Sequence, residues 1–485
     1  MSKTTRRQLI QGIIAAGIAP HFARARGAND EIRIGVIGVG SNVKIGGKGK
    51  GDIRNWRKLP GVRVTAICDV DENILQAEVE QFKKWGEPVR AFRDLRRMLE
   101  CNDIDAVNIT TPNHWHALAA VWACQAGKDV YVQKPASHNI FEGRKMVEAA
   151  RRYGRIVLCT SGSREPTGYA EALAWVRQGG LGKIQLIYGV NYKPRPGIGK
   201  VPQPQPIPKG LDYDLWSGPA QMQPLRREFL HYDWHWDWQT GNGDIGNMGI
   251  HYLDGCRMAT GQGLPRHVLS LGGRFGYDDD GQTPNSQLVY FDYEPAPVLF
   301  EVRGLPREKS LLGATWNPGA MDNLRGQKTG VVIFCEGGYL AANKVFDTQG
   351  KLLREFKGQT PRSYENFLAV VRSRKREDLA ADIEDGHLSA ALVHLGNISY
   401  RLGKTAPPQE IAERIAGRKE LSAAFEKFQT HLAANGVDLK KTQAALGPLL
   451  TFDPQKERFT GEFAPEANKL VTREYREPFV VPEKV

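Results

Sequence analysis

The chain has 485 residues, enough for two or three domains at about 100–200 residues each, and its 41% hydrophobic and 25% charged residues place it with globular proteins rather than disordered ones. The net charge of +12 is spread thinly, without a basic stripe interleaved with aromatics, which argues against a nucleic-acid partner. Six cysteines, Cys68, Cys101, Cys124, Cys159, Cys256 and Cys335, form no close-spaced pair, so small buried thiols are expected rather than disulfides or a zinc site.

Taken in chain order, residues 1–28 read as an address. Arg6-Arg7 precede a short, weakly apolar stretch from Ile10 to Ala19, then Pro20 and a small-x-small site at Ala23-Arg24-Ala25. This is the order of a secretory signal, and the apolar run is shorter than the ~20 residues that span a bilayer. Paired arginines before a weak apolar run resemble the twin-arginine signal, with Leu9 where Phe is more usual. The export machinery is then an expected partner and the periplasm the expected location.

Residues 29–160 read as a doubly wound, NAD-binding domain. Ile32 to Ile37 is an apolar strand that runs into Gly38-Val39-Gly40. Gly38 and Gly40 would admit a pyrophosphate to a helix N-terminus. Val43 breaks the strict G-x-G-x-x-G spacing, so the loop is read as lengthened, with Gly51 as third glycine. The second strand, Val62 to Cys68, ends at Asp69, whose carboxylate would accept the ribose hydroxyls of NAD and repel the extra phosphate of NADP; Asp71 competes for the role. A strand at Ile104–Ile109 leads to Thr111-Pro112-Asn113 and His116 on an alanine-rich helix ending near Gln125. Another at Asp129–Val132 leads to Gln133-Lys134-Pro135 and a helix from Phe141 to Tyr153, and a further strand covers Ile156–Cys159. Functional groups belong at the carboxyl ends of such strands. Lys134 is a cation at one of those ends, suited to a developing alkoxide.

From Asp244 to Met258 a helix is expected, with Asp244, Asn247, His251 and Asp254 as its polar stripe. His251 is a candidate general base there. The segment 231–238 holds three tryptophans and two histidines. If extended, Trp234, Trp236 and Trp238 share a face, either of a core strand or of a platform for sugars.

These residues together resemble the Gfo/Idh/MocA family of oxidoreductases over about residues 31–405. The resemblance rests on Gly38-Val39-Gly40, Asp69, Thr111-Pro112-Asn113 with His116, Lys134-Pro135, and Asn247 to His251. Lys193-Pro194-Arg195-Pro196 and Gly386 to Ala390 look like its exported bacterial branch. It implies that Lys134 and His251 perform acid–base work beside the nicotinamide, with Asn247 and Asp244 in support. It also implies Gly38, Gly40, Gly51, Asp69, Thr111, Pro112, Asn113, His116, Gln133 and Lys134 about the cofactor, and Lys193, Arg195, Trp234 and His235 about a carbohydrate. Two positions depart from the family pattern: Gln133 and Asn247 stand where it has Glu and Asp, which would remove two negative charges and favour an anionic substrate or intermediate.

Residues 161–440 read as an α+β substrate and oligomerisation domain, mainly antiparallel, with strands near Gln287–Phe291, Val298–Val302 and Gly330–Phe334 and helices at 364–374, 383–402 and 409–434. A proline- and glycine-rich stretch, 191–210, reads as a loop over the site. The tail, 441–485, is expected either as an arm against another subunit of a homo-oligomer or as a docked tail. The leading expectation is a sugar or polyol oxidoreductase with tightly held NAD and no metal. Its rivals are a redox-neutral glycosidase working by transient oxidation and elimination, and a non-catalytic sugar- or nucleotide-binding protein.

Overall fold

A computed structural model describes residues 31–41, 45–165, 167–313, 317–358 and 362–485. The signal at 1–28 and Val43 lie outside the described residues. Among the described residues no helix is long and apolar enough to cross a membrane.

The first layer alternates strand and helix. Its elements are β1 (Ile32–Ile37), α1 (Lys48–Trp56), β2 (Val62–Cys68), α2 (Glu72–Trp85), β3 (Arg90–Phe92), α3 (Leu95–Leu99), β4 (Ala106–Ile109), α4 (Asn113–Gln125), β5 (Asp129–Val132), α5 (Ile140–Arg152) and β6 (Val157–Cys159). The strands are parallel in the order β3-β2-β1-β4-β5-β6. Ile34 of β1 lies level with Val64 on one side and Ala106 on the other. Nearly continuous apolar runs suit strands covered on both faces. Helix ends follow local chemistry. Asp71 Oδ1 accepts the Asn73 and Ile74 N–H groups to start α2, and Gly86, at φ 71°, ends it.

The second layer is built on β7 (Ile184–Tyr192), β8 (His267–Gly273), β9 (Ser286–Asp292), β10 (Val298–Arg303), β11 (Thr329–Cys335), β12 (Gly338–Ala341), β13 (Lys344–Asp347), β14 (Leu352–Glu355), β15 (Lys404–Ala406), β16 (Ala444–Leu446), β17 (Leu450–Asp453) and β18 (Arg458–Thr460). The order is β14-β13-β12-β11-β7-β10-β9-β8-β16-β15, with β17 joining β8 and β18. Within this second sheet only the β7–β10 pair is parallel among the described strands. Helices α6 (Tyr169–Arg177), α7 (Ile250–Thr260), α8 (Ser363–Ser373), α9 (Ile383–Arg401), α10 (Pro408–Ile415) and α11 (Lys419–Ala434) complete the chain's larger elements. The single helix expected over 409–434 is two, broken around Gly417.

Two late segments return to the first layer, so residues 29–160 do not build it alone. Phe367, Leu368, Val370 and Val371 of α8 share a buried cluster with Ile32, Ile34 and Trp56. Phe479 and Val481 of the tail are buried against Trp115 and Leu118 of α4, with the Phe479 and Trp115 rings 5.4 Å apart. The tail thus packs against its own first layer. Nor does the loop at 191–210 line the cavity described below; its middle is tied to the 278–280 turn, where Asp279 and Asp280 accept the Ile198 and Val201 N–H groups at 2.8 and 2.7 Å.

Candidate functional site

A cavity of about 530 Å³ runs from the carboxyl ends of β1 and β2 to the start of α7. At its first end the glycine turn is enforced by space. Gly38 has φ +85°, and a Cβ there would lie 2.8 Å from the Thr111 nitrogen. At Gly40, φ +117°, it would lie 2.5 Å from the Gly46 carbonyl oxygen. The third glycine is Gly49, where a Cβ would meet the Gly38 carbonyl and come within 2.6 Å of the Val39 carbonyl. Gly51, expected in that role, has open space where its Cβ would stand and does not line the cavity. The inserted residues between Gly40 and α1 displace the count.

Asp69 is buried at the end of β2 and accepts the Val39 and Gly40 N–H groups at 2.8 and 3.3 Å. Burial raises its pKa, against these hydrogen bonds. Asp71 does not compete: it caps α2, and its other oxygen pairs with His231 Nε2 at 3.0 Å. Thr111, Pro112, Asn113 and His116 all line the cavity at the start of α4. His116 places its ring nitrogens 2.7 Å from the Pro135 carbonyl and 2.8 Å from that of Thr111, so that the one N–H of the neutral ring donates to one of the two. Burial lowers its pKa to about 4, so it is neutral and positions rather than titrates.

At the other end Lys134, Asn247 and His251 meet. Lys134 Nζ donates to the Asn247 carbonyl, and the Asn247 side-chain oxygen is 3.5 Å away. Burial drives the Lys134 pKa down to about 7; Arg195 adds to this and Asp244 opposes it. The expected helix begins with a π turn, Ile245–Gly249, before α7. Such wide turns are frequent at functional sites. His251 Nδ1 accepts the Gly162 N–H at 2.8 Å. Burial, with Lys134 adding, lowers its pKa to about 3. The neutral ring therefore carries its proton on Nε2, and His251 is a donor, not the base expected of it.

Asp244 does not reach the cavity. It is buried with Arg195, whose Nη2 lies 2.5 Å from Oδ1, while Asn191 donates to its other oxygen at 3.0 Å. Arg195 is 4% exposed and also donates to the Tyr232 hydroxyl at 3.1 Å, so it braces the site instead of meeting substrate. Lys193, half-buried, stands 3.9 Å from the Met248 sulfur and outside the cavity lining. Trp234 and His235 do line it, stacked with ring centroids 3.6 Å apart. Their segment is helical, not extended: Leu230–Asp233 is one turn of α-helix and Trp234–Trp236 a 3₁₀ turn. Trp236 turns away into the interior beside Arg195.

The carboxylates near Gln133 and Asn247 are each already paired with a cation: Asp52, which accepts the Gln133 amide at 3.1 Å, holds Lys48, and Asp244, at the start of the π turn, holds Arg195. Several cavity residues were not foreseen: Lys48, Ser161, Gly162, Glu165, Tyr232, Ser363 and Tyr364. Gly162 lies three residues beyond the end of β6, within reach of a reading based on strand ends. Tyr364 carried no local signal, since α8 reaches the cavity only by packing on the first layer. Among the described residues no group of three or more His, Cys, Asp or Glu is placed to hold a metal ion.

The glycine cradle, the strand-end carboxylate and the lysine lie along one cavity, a set that fits a nicotinamide dinucleotide. Comparison with known proteins agrees. Residues 32–161 match the NAD-binding Rossmann fold of the Gfo/Idh/MocA oxidoreductase family, and residues 181–265 match its C-terminal alpha/beta domain. A Glycosyl hydrolase family 109 protein of Solibacter usitatus is 34% identical over 174 residues, which is 32% of this chain and 38% of that protein. One from Shewanella pealeana is 30% identical over 163 residues, 32% of this chain and 34% of that protein. The chain thus spans little more than a third of the curated relatives it matches. Among solved structures, the WlbA dehydrogenase of Bordetella pertussis, in complex with NADH and UDP-GlcNAcA, shares the fold at a TM-score of 0.56 and 19% identity, over 76% of this chain and 97% of that one. The aldose-aldose oxidoreductase of Caulobacter crescentus, complexed with glycerol, does so at 0.53 and 17%, over 75% and 95%. Over its Rossmann and C-terminal alpha/beta segments, the chain thus resembles the Gfo/Idh/MocA family of NAD-binding oxidoreductases.

Proposed function

We propose that this protein is an exported, NAD-dependent oxidoreductase acting on a sugar or polyol hydroxyl, with a tightly held cofactor. The carrying observation is the meeting of Lys134, Asn247 and His251 in the cavity that also contains the glycine turn and Asp69. A bound nicotinamide supplies the hydride acceptor. Lys134, free amine above about pH 7, takes the hydroxyl proton. His251 Nε2 donates a hydrogen bond to the same oxygen or its neighbour, and the Asn247 carbonyl orients the amine. Trp234 offers a ring face to the carbohydrate. Export rests on Arg6-Arg7 and the apolar run behind them. Tight retention rests on the covering segment: His231 pairs with Asp71, Asp212 N–H donates to the Val70 carbonyl at 3.0 Å, and Glu72 N–H to that of Gly210 at 3.1 Å.

A second reading, a redox-neutral glycosidase, is favoured by one observation, that the curated relatives matched are glycosyl hydrolase family 109 proteins. Mass spectrometry of the folded protein is expected to reveal co-purifying NAD, and a sugar panel to change its near-ultraviolet absorbance. Aglycone release without net reduction of cofactor selects the glycosidase. Neither cofactor nor absorbance change with any sugar or glycoside removes both.

A further inference from the structure

One buried carboxylate near the site has no part in the chemistry above. Asp52 of α1 is fully buried, and four side chains donate to it. Oδ1 accepts Lys48 Nζ at 2.5 Å and the Tyr364 hydroxyl at 2.6 Å. Oδ2 accepts the Gln133 and Asn108 amides at 3.1 and 3.2 Å. Such saturation is what a carboxylate out of water requires. The partners come from α1, β4, the end of β5 and α8, so the four segments are registered by one charge. Lys48 is itself a cavity-lining residue with a half-exposed side chain. Its ammonium also lies 3.2 Å from the Tyr364 hydroxyl. Tyr364 is locked in turn, stacked on Tyr131 with centroids 5.0 Å apart and receiving the Asn55 amide at 3.2 Å. The ammonium is therefore fixed in place.

We propose that Asp52 is a positioning residue of the reacting end: it holds Lys48 on the cavity wall and Gln133 beside Lys134, so that a second, half-neutralised ammonium faces the same substrate as Lys134. The proposal rests on the reading of Lys134 as proton acceptor. Charged and titratable groups face Lys134 from every side. Arg195 and Lys193 follow β7, Asp244 precedes the π turn, His251 stands on α7, His116 on α4, Cys159 at the end of β6, His235 and Tyr232 lie in the covering segment, and Lys48 stands on α1. Like charges repel, so Lys48 favours the free amine of Lys134, and Asp52 offsets part of that effect. Removing Lys48 and removing Asp52 must then act in opposite directions. A purely structural tie would not give opposite signs.

The test uses the full chain and a small amine-acylating reagent, with Lys134 modification followed against pH by peptide mass spectrometry. The midpoint is expected near 7 in the unaltered protein. Lys48→Met should raise it, and Asp52→Asn lower it, each by about half a pH unit or more. Shifts of the same sign, or a midpoint unmoved in Lys48→Met, overturn the proposal; the latter holds even if Asp52→Asn fails to fold. Labelling needs neither cofactor nor sugar. A protein that oxidises no sugar would count against the proposed activity while leaving this result to be judged alone.

Discussion

The two walls of the cavity are built by opposite means. The wall made by β1, β2, β4 and β5 is a product of backbone geometry: strand ends, a turn with φ values only glycine adopts readily, and helix starts at regular intervals. The wall made by residues 215–235 has little regular structure and is held by side chains across long sequence distances, as in Tyr232–Arg195–Asp244 and His231–Asp71. The first wall has no room for a side chain at Gly38, Gly40 or Gly49. The second depends on particular ion pairs.

Where the walls meet, at Lys134, the largest effect is expected. Lys134→Ala should retain cofactor and lose about a thousandfold in hydride transfer, the middle of the range for a positioned acid–base group. His251→Ala should lose only about tenfold, the worth of one hydrogen bond. Single-turnover kinetics checks both, and a His251 loss as large as that of Lys134 would return the base to the imidazole. On the contact-built wall, Arg195→Met strands Asp244 in the interior and should cost about 3 kcal/mol of stability. Denaturant unfolding measures this; a loss under about 1 kcal/mol would mean that the wall does not depend on its ion pair. The smallest effect belongs to the geometric wall. Asp69→Ser removes the carboxylate that accepts the Val39 and Gly40 N–H groups and should narrow the preference for NAD over NADP by about tenfold. Equal binding of both cofactors by the unaltered protein would take Asp69 out of the ribose site.

The same contrast explains what was legible in the sequence. Apolar runs bounded by glycines located β1, β2, β4, β5 and β6 to within a residue or two, and Asp69 and Lys134 follow from being at strand ends. A fingerprint counted along the chain points to Gly51 and cannot see that it is Gly49 whose Cβ would meet the Gly38 carbonyl. The π turn was invisible because a stripe drawn at 3.6 residues per turn assumes that period throughout. Asp244 and Arg195 read as site residues because charge near a motif looks functional, and nothing local says that two charges 49 positions apart neutralise each other. Asp52 and Tyr364 meet across 312 positions, beyond the reach of any pattern in a window.

The docking of the tail has a consequence for how the molecule comes into being. Trp115 and Leu118 belong to the part of the chain that leaves the ribosome early, yet the side chains that cover them, Phe479 and Val481, are synthesised hundreds of residues later. Residues 367–371 likewise arrive late to close the other face. The nucleotide-binding layer therefore waits, with apolar surface bare on both sides, until nearly the whole polypeptide has emerged. Such long-range closure slows folding and exposes sticky intermediates to aggregation and to chaperones. A fragment cut at residue 161 would carry every glycine and strand of the cofactor fold and still be an unfinished object.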